Sequence, residues 1–387
     1  MSLIYVYDRD ITQLGLIEQK TSFIWIPRYW QAGEFKLLVP FTLEYRRLLQ
    51  VGTLLMPVVE GEVNNNKELG QIRLLQIRMN SQGIEEIEVQ GRMTSHWIGK
   101  RIVLETITNN APPQNILTQI VRENVTNPTN PNRLLNPSLT IAPVTGIQRQ
   151  SIDYVSEPKI NALLAVETLA RSSSLGFNIT TDVINKTHSY NVYDGKDLTA
   201  DNTQGNPPAI FSVEFNNILE QEFLRSIENL RSTSYVGGEE ETPDTPRVIT
   251  VVGDEISGMD RQEVFVNATD IVRTHRDDQG NVWVTPLEEY ERLLRTRGIQ
   301  VLNLFSERVS FSNRVNNNAS LVYKQDYNLG DRVTCINARW GVRIDVRITE
   351  VMEIQQDNNV PEIEITFGDN LPALIDQIRA LQKQYDQ

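Results

Sequence analysis

Two stretches near opposite ends of the chain pass through the same three kinds of segment in the same order. The first reads Val51-Gly52-Thr53-Leu54-Leu55, then Gly70-Gln71-Ile72-Arg73, then Glu86-Ile87-Glu88-Val89. The second reads Leu329-Gly330-Asp331-Arg332-Val333, then Gly341-Val342-Arg343-Ile344, then Glu362-Ile363-Glu364-Ile365. In each, a turn glycine enters a strand, a second glycine is followed shortly by an arginine, and a Glu-Ile-Glu-aliphatic run closes the series. That run alternates as a strand with one wet face does. The glycine spacing is longer in the first stretch. Two readings stay open: antiparallel meanders that resemble each other by chance, or one β-barrel module used twice, giving one subunit two quasi-equivalent units.

Residues 1–108 read as strands. Leu3 to Tyr7 is a β-rich run, and Thr21 to Ile26 and Glu34 to Val39 flank the hairpin signal Gln31-Ala32-Gly33. Thr53 to Val59, Gln71 to Met79 and Glu85 to Gln90 follow, with Asn64-Asn65-Asn66 marking an exposed loop. Residues 109–208 change to α+β. Pro112-Pro113 opens a helix over Gln114 to Asn124, because proline is tolerated in a first helical turn. Ser156-Glu157-Pro158 offers an N-cap serine for a second helix. Leu163, Val166, Leu169 and Ala170 share one face of it, and Gly176 fits a stop. Phe177 to Thr181 and Ser189 to Tyr193 read as a hairpin pair. Strand composition returns at Ile210 to Phe215, Glu222 to Ile227 and Val248 to Val252. Thr285-Pro286-Leu287-Glu288 spells a capping box for a helix that Gly298 ends or interrupts. Residues 308–368 are strands again. Asp369 then caps a terminal helix with Leu371, Leu374, Ile375, Ile378 and Leu381 on one stripe.

Charge and chemistry exclude several functions. Lys and Arg number 37 against 50 Asp and Glu, a net charge of −13. Sequence-independent nucleic-acid binding needs a basic patch, and none is present, so no stable binding to nucleic acid is expected. An anionic membrane surface is disfavoured for the same reason. No run approaches the ~20 apolar residues of a membrane span. The N-terminus lacks a basic region and Asp8 breaks its apolar run, so no secretory signal is expected. Cys335 is the single cysteine. It can form neither an intramolecular disulfide nor a multi-thiolate metal site, and it reads as a packed strand residue. His96, His188 and His275 show no i, i+4 spacing for zinc. There is no Gly-x-Ser-x-Gly elbow and no phosphate loop. Asp277-Asp278-Gln279-Gly280-Asn281 lacks the alternating ligands and closing glutamate of a calcium loop and reads as a hairpin turn. Glu239-Glu240-Glu241-Thr242-Pro243 reads as a solvated acidic loop. Trp25, Tyr29 and Trp30 cluster around Pro27, as a core or subunit interface does; a sugar platform or a barrel-end cap are the alternatives. No catalytic, cofactor-binding or metal residues are therefore expected.

Tyr323-Lys324-Gln325-Asp326-Tyr327-Asn328-Leu329-Gly330-Asp331 resembles the Asp-Tyr-x-Leu-Gly-Asp stretch of the tail-associated, baseplate-hub-like proteins of long-tailed (siphovirus-type) phages and prophages. Arg347-Ile348-Thr349-Glu350-Val351 and Thr366-Phe367-Gly368 resemble further parts of that family. So do Tyr235-Val236-Gly237-Gly238, Gly258-Met259-Asp260-Arg261-Gln262-Glu263 and Leu293-Leu294-Arg295-Thr296-Arg297-Gly298. The resemblance spans nearly the whole chain. Its structural-motif positions are Asp326, Tyr327, Leu329, Gly330, Asp331, Arg347, Thr349, Glu350, Phe367 and Gly368. Physically, Leu329-Gly330-Asp331 suits a turn in which glycine supplies positive φ. Arg347 and Glu350 read either as a pair across a barrel face or interface, or as two independent strand-surface charges.

The resemblance implies a non-enzymatic, structural tail-tip (baseplate hub) protein of a phage or prophage. Such a protein closes the distal end of the tail tube and docks tip and receptor-binding components during host attachment and DNA ejection. It implies a homotrimer in which two β-barrels per chain make a pseudo-sixfold ring, without a cofactor. Expected partners are the distal tail protein and tube end, the tape-measure protein, and receptor-binding or fibre proteins. The expected location is the virion tail tip, after synthesis and assembly in the host cytoplasm. The chain stops soon after Gly368, where many relatives continue into a fibre or a peptidoglycan hydrolase, which argues against wall cleavage. The alternatives are a cell-wall hydrolase or a carbohydrate-binding receptor module. The fold class expected is α+β, mainly β. A first β-barrel covers 1–108 and an α+β domain 109–208. A discontinuous second barrel covers 209–238 and 308–368, split by a small inserted α+β domain at 239–307, and a C-terminal helix occupies 369–387.

Overall fold

β-branched and aromatic runs fill a pleated, half-buried surface well, and they place the strands here. The computed structural model describes residues 2–59, 65–79, 81–240, 246–276, 279–316, 320–356 and 362–368. The first section forms β1 (Ser2–Tyr7), β2 (Gln13–Ile17), β3 (Ser22–Ile26), β4 (Glu34–Pro40), β5 (Leu54–Val59), β6 (Lys67–Glu68), β7 (Gly70–Met79) and β8 (Glu85–Met93). Its α-helix, α1 (Leu43–Leu48), is capped by Thr42, whose hydroxyl accepts from the Tyr45 amide. Phe23 and Trp25 of β3 and Phe35, Leu37 and Val39 of β4 alternate into one core with Ile72, Ile87 and Val89.

A second section holds β9 (Thr108–Ala111), α2 (Pro113–Val121), β10 (Leu139–Ile141), β11 (Ile152–Val155), α3 (Ala162–Ser172), β12 (Gly176–Asp182) and β13 (Thr187–Tyr193). Helix α2 begins on its proline and continues as a π-helical turn over Arg122–Thr126. The apolar face of α3, with Leu163, Val166, Leu169 and Ala170, packs with α2 on Phe177, Ile179 and Tyr190. Ser156 is not the cap of α3. It is buried, and its hydroxyl accepts from the Ile107 amide at 2.8 Å. Lys159 takes φ +58°, which no helix accommodates, so α3 begins later, on Asn161. Gly176 does not stop α3; it opens β12 where any Cβ would overlap the Tyr29 ring.

The remaining elements are β14 (Asp197–Leu198), β15 (Ile210–Ser212), β16 (Ile218–Ser226), β17 (Thr233–Gly237), β18 (Ile249–Val252), β19 (Glu263–Asn267), β20 (Thr274–Arg276), β21 (Val282–Val284), α4 (Leu287–Leu304), β22 (Arg308–Val315), β23 (Arg332–Asn337), β24 (Val342–Gln356) and β25 (Glu362–Gly368). Helix α4 packs Tyr290 and Leu294 on Val236 and Val266. The expected capping box is not formed, because the Thr285 hydroxyl meets His275 Nε2 at 2.9 Å and Pro286 sits at the cap. Nor does Gly298 stop the helix. It lets α4 approach the sheet, since a Cβ there would lie 2.7 Å from Ser234 Oγ and 2.8 Å from Val236 Cγ2. Strands β20 and β21 pair on either side of residues 277–281. Asn64, Glu241 to Pro243, Asp277 and Asp278, and the terminal helix expected from Asp369 lie outside the described residues.

The fold is mainly β and mostly antiparallel. Among the described residues fourteen strands form one sheet with the path β16-β22-β25-β24-β3-β4-β8-β7-β5-β1-β2, and β23 joins β24 to β14 and β15. Two five-strand runs inside it follow one scheme. The order β3-β4-β8-β7-β5 is matched by β16-β22-β25-β24-β23, so the strands of each run lie as first, second, fifth, fourth and third, every neighbour antiparallel. Beyond this the runs differ: β5 pairs with β1 antiparallel, while β23 takes β14 and β15 in parallel. Two closed barrels were expected, but among the described residues the strand path stays open.

Candidate functional site

Each run turns on a glycine that L-residues would replace only with strain. Gly330 has φ +95°, donates its amide to Ile348 O at 2.8 Å, and Ile348 returns a bond to Asp331 O at 2.8 Å. Gly52 has φ +99°, donates to Ile72 O at 2.8 Å, and Ile72 returns a bond to Thr53 O at 2.9 Å. The strand after each turn glycine's partner carries a bulge, between Ile72 and Leu74 in β7 and between Ile348 and Glu350 in β24. Counting from these bulges, Glu86-Ile87-Glu88-Val89 falls on Glu362-Ile363-Glu364-Ile365. Phe35 likewise falls on Phe311, and Trp25 on Phe223. The ring pairs repeat too: Trp25 and Phe35 centre 5.6 Å apart, Phe223 and Phe311 5.8 Å. The middle segment of the sequence echo does not correspond. Gly341 is a turn residue before β24, and Gly70 lies within a strand opposite Leu55, the place Val346 takes opposite Val333.

The motif residues cluster around the second of these turns. Tyr327 is buried edge-on against Phe211, ring centres 5.1 Å apart, and Phe211 meets Phe367 at 5.0 Å. Leu329 packs on the same core. Asp326 is exposed and accepts from the Val322 amide at 2.7 Å. Asp331 is buried and accepts from the amides of Lys196 and Asn328, both at 2.7 Å. Burial raises its pKa; those amides and the nearby Lys196 and Arg347 oppose the rise. The Thr349 hydroxyl reaches Gly368 O at 2.8 Å, tying β24 to the end of β25.

Arg347 and Glu350 do not pair with each other. Arg347 stands over the Tyr29 ring at 5.1 Å, meets Asp194 at 3.2 Å, and donates to Gly330 O. Glu350 accepts from Arg28 Nε at 2.5 Å, and Arg28 also holds Glu34 at 2.8 Å. Alternate strand residues point to opposite faces, but the bulge between Ile348 and Glu350 breaks that count. Both motif charges therefore fasten the second run to the first. The backbone does the same: Glu353 pairs with Trp25, Ile354 with Ile24, Gln355 with Phe23 and Gln356 with Ser22. Tyr29 donates its amide to Thr349 O at 2.9 Å.

Tyr29 is the hinge-pin of this seam. It is fully buried, its hydroxyl lies 3.2 Å from Ser174 O and 3.3 Å from Tyr193 O, and burial pushes its pKa up to about 12. Gly176 and Gly330 both press on its ring. Of the aromatic cluster, Trp25 lies in the core of the first run and Trp30 is half-buried against the α2–α3 core, as the core reading expected. Arg28 and Asp194 were missed from sequence, where they are lone charges in no motif; the only signal was their nearness to Pro27 and to the hairpin strand ending at Tyr193.

The other chemical candidates are packed. His96 Nδ1 meets Met93 O at 2.8 Å, and His188 Nδ1 meets Thr181 Oγ1 at 2.9 Å. Burial lowers both pKa values to about 4. Cys335 is buried and free. Among the described residues no group of three or more His, Cys, Asp or Glu is placed to hold a metal, and no helix is long and apolar enough to cross a membrane.

The sequence pattern that defines the Siphovirus ReqiPepy6 Gp37-like proteins matches residues 3–369. Among solved structures, the chain is similar to the tail protein from Neisseria meningitidis MC58, with 12% identity, a TM-score of 0.53, and coverage of 95% of this chain and 97% of that one. It is similar to the 43 kDa tail protein of prophage MuSo2 from Shewanella oneidensis, with 13% identity, a TM-score of 0.53, and coverage of 94% and 98%. It is also similar to the prophage tail protein gp18 from Listeria monocytogenes EGD-e, with 13% identity, a TM-score of 0.50, and full coverage of both chains. At these identities the likeness shows a shared fold. No curated protein matches the chain by sequence.

Proposed function

The chain belongs to the Siphovirus ReqiPepy6 Gp37-like protein family, and from that premise we propose that it is a structural hub subunit of a phage or prophage tail tip. The observation that carries this reading is the paired five-strand run, with its shared order, turn and bulge, joined in one chain by the β24–β3 seam. A subunit with two equivalent units can match a sixfold tube with three copies and still present a threefold end to whatever docks beyond. The proposed assembly is thus a homotrimer in which the runs curve into barrels around a channel. It sits at the distal end of the tube, against the distal tail and tape-measure proteins, and carries receptor-binding components. The stretches at 109–208 and 239–307 serve as peripheral domains on that ring. The role is mechanical and needs no catalytic residue.

The net charge of −13 per chain suits a conduit that must not retain DNA, because each phosphate contact adds salt-dependent affinity. Much of the excess acid is placed along the lumen in this reading. The decisive measurement is mass by light scattering, for the protein alone at high concentration and with its tail-tube partners. Threefold rings are expected. A protein that stays monomeric in both preparations refutes the hub.

A further inference from the structure

The seam inside the chain has a counterpart that one chain cannot fill. β24 of the second run pairs with β3, the first strand of the first run. By the correspondence of the two runs, β7 is the equivalent of β24, and β16 is the equivalent of β3. Among the described residues β16 has a neighbour on one side only, β22. Among the described residues β7 pairs with β5 only through Gly70 and Gln71, so its later residues have a strand partner only in β8.

Exposure separates the filled seam from the open one. Gln355 of β24 is 2% exposed, while its equivalent in β7, Met79, is 69% exposed. Leu74 and Ile77 of β7 are exposed as well. On β3, Phe23 and Trp25 are buried, whereas β16 exposes Leu219 and is followed by exposed Ile227. Long apolar edges left open are templates for pairing with another chain, and folded proteins normally cover them. In the register of the internal seam Arg78 of β7 falls opposite Glu222 of β16, a pair of opposite charge, although Arg78 also lies 3.6 Å from Glu88 within its own chain.

Resting on the hub reading, we infer that the free half of β7 pairs antiparallel with β16 of a second copy of this chain, in the register of the internal seam. Glu353 opposite Trp25 becomes Ile77 opposite Phe223. Ile354 opposite Ile24 becomes Arg78 opposite Glu222, and Gln355 opposite Phe23 becomes Met79 opposite Gln221. Each copy offers one edge of each kind, so the contact is head-to-tail and must either close or run on as a filament. With one geometry at the internal and external seams, the sixfold ring of the hub reading takes six runs, and hence three chains.

Engineered cysteines test the register in the full chain, where the one native cysteine, Cys335, is buried. Neighbouring pairs on antiparallel strands alternate between close and wide, so two in-register variants are made: Ile77→Cys with Phe223→Cys, and Arg78→Cys with Glu222→Cys. On oxidation at least one should convert to covalent trimers, and the offset variant, Ile77→Cys with Glu222→Cys, should not, because its thiols face opposite sides of the sheet. The exposed-edge variant Met79→Lys with Leu219→Lys should keep the thermal midpoint of the monomer and lose the ring. Trimers that form without in-register crosslinking, or that crosslink only in the offset variant, overturn this seam and leave the hub reading standing. Absence of any ring, alone or with tail-tube partners, removes both.

Discussion

Arg347 and Tyr29 lie far apart in the sequence, yet the guanidinium carbon stands 5.1 Å from the centre of the ring. Asp194, 3.2 Å from Arg347, and the Gly330 carbonyl hold the cation in place. The contact joins the two strand runs beside the β24–β3 pairing.

Removing this contact should cost more than a surface ion pair. Cation–π contacts are worth about 0.5–2 kcal/mol, and hydrogen bonds to charged groups about 1.5–3 kcal/mol. Arg347→Ala should therefore destabilise by about 2 kcal/mol in urea unfolding. Arg347→Lys should recover little of it, since an ammonium cannot lie flat on the ring while bonding two oxygens. Full recovery by lysine would mean that charge alone matters there.

The two turn glycines should respond unequally to alanine. Both have positive φ, costing about 1–2 kcal/mol for an L-residue. At Gly52 the new Cβ meets the far end of the flexible Arg9 side chain at 2.5 Å, while at Gly330 it overlaps the fixed Tyr29 ring. Gly330→Ala should cost roughly 1–3 kcal/mol more than Gly52→Ala, measured as the difference in unfolding free energy. Equal losses would place the whole cost in the backbone.

Gly298→Ala reverses the usual rule for helices. Alanine normally improves a helix by about 1 kcal/mol over glycine. Here its methyl would press on Ser234 Oγ and Val236 Cγ2, and a net loss of about 1–2 kcal/mol is expected. A rise in thermal midpoint would show that α4 can lift off its sheet at no cost.

Stability should fall as pH drops from about 6.5 to about 4. Burial holds His96 and His188 at about 4 in the folded chain, below the ~6.5 of an unfolded histidine. In that window the unfolded state binds more protons at these sites, so each costs about 1.4 kcal/mol per pH unit on acidification. Glu68 acts the other way. Burial raises it to about 7, so its folded form holds a proton that the unfolded form releases above its ordinary pKa, and lowering the pH favours folding there. Glu68→Gln should therefore steepen the acid-side loss, by up to about 1.4 kcal/mol per unit between pH 5 and 6.5. An unchanged slope in unfolding curves across that range would mean that Glu68 is hydrated.

What was legible in the sequence followed from local pattern. The hairpin of β3 and β4, the strands β5, β7 and β8, and the equivalence of the Glu-Ile-Glu runs all rest on period-two alternation and turn glycines. What was not legible depended on partners distant in sequence. Ser156 looked like a helix cap until the Ile107 amide claimed its hydroxyl, and Thr285 was claimed by His275. Gly298 and Gly176 looked like stops because the neighbours they make room for, Val236 and Tyr29, lie elsewhere in the chain. Arg347 and Glu350 read either as a pair or as independent strand-surface charges, because nothing local announced Asp194 or Arg28. The ten motif residues were legible as a pattern, and their clustering at one turn and one seam was not.

The β24–β3 seam also has a consequence for bookkeeping in the cell. Two related runs made as separate proteins would have to be synthesised in balance and would have to tell self from sibling at every contact. Carried on one polypeptide, they arrive in a one-to-one ratio, already adjacent, the second pairing at the high local concentration a tether provides. Each run is then free to change its own face. The two already differ, with Asn313 buried in β22 at the place of Leu37 in β4. A head-to-tail ring of such chains alternates the two kinds of face strictly, with no sorting step.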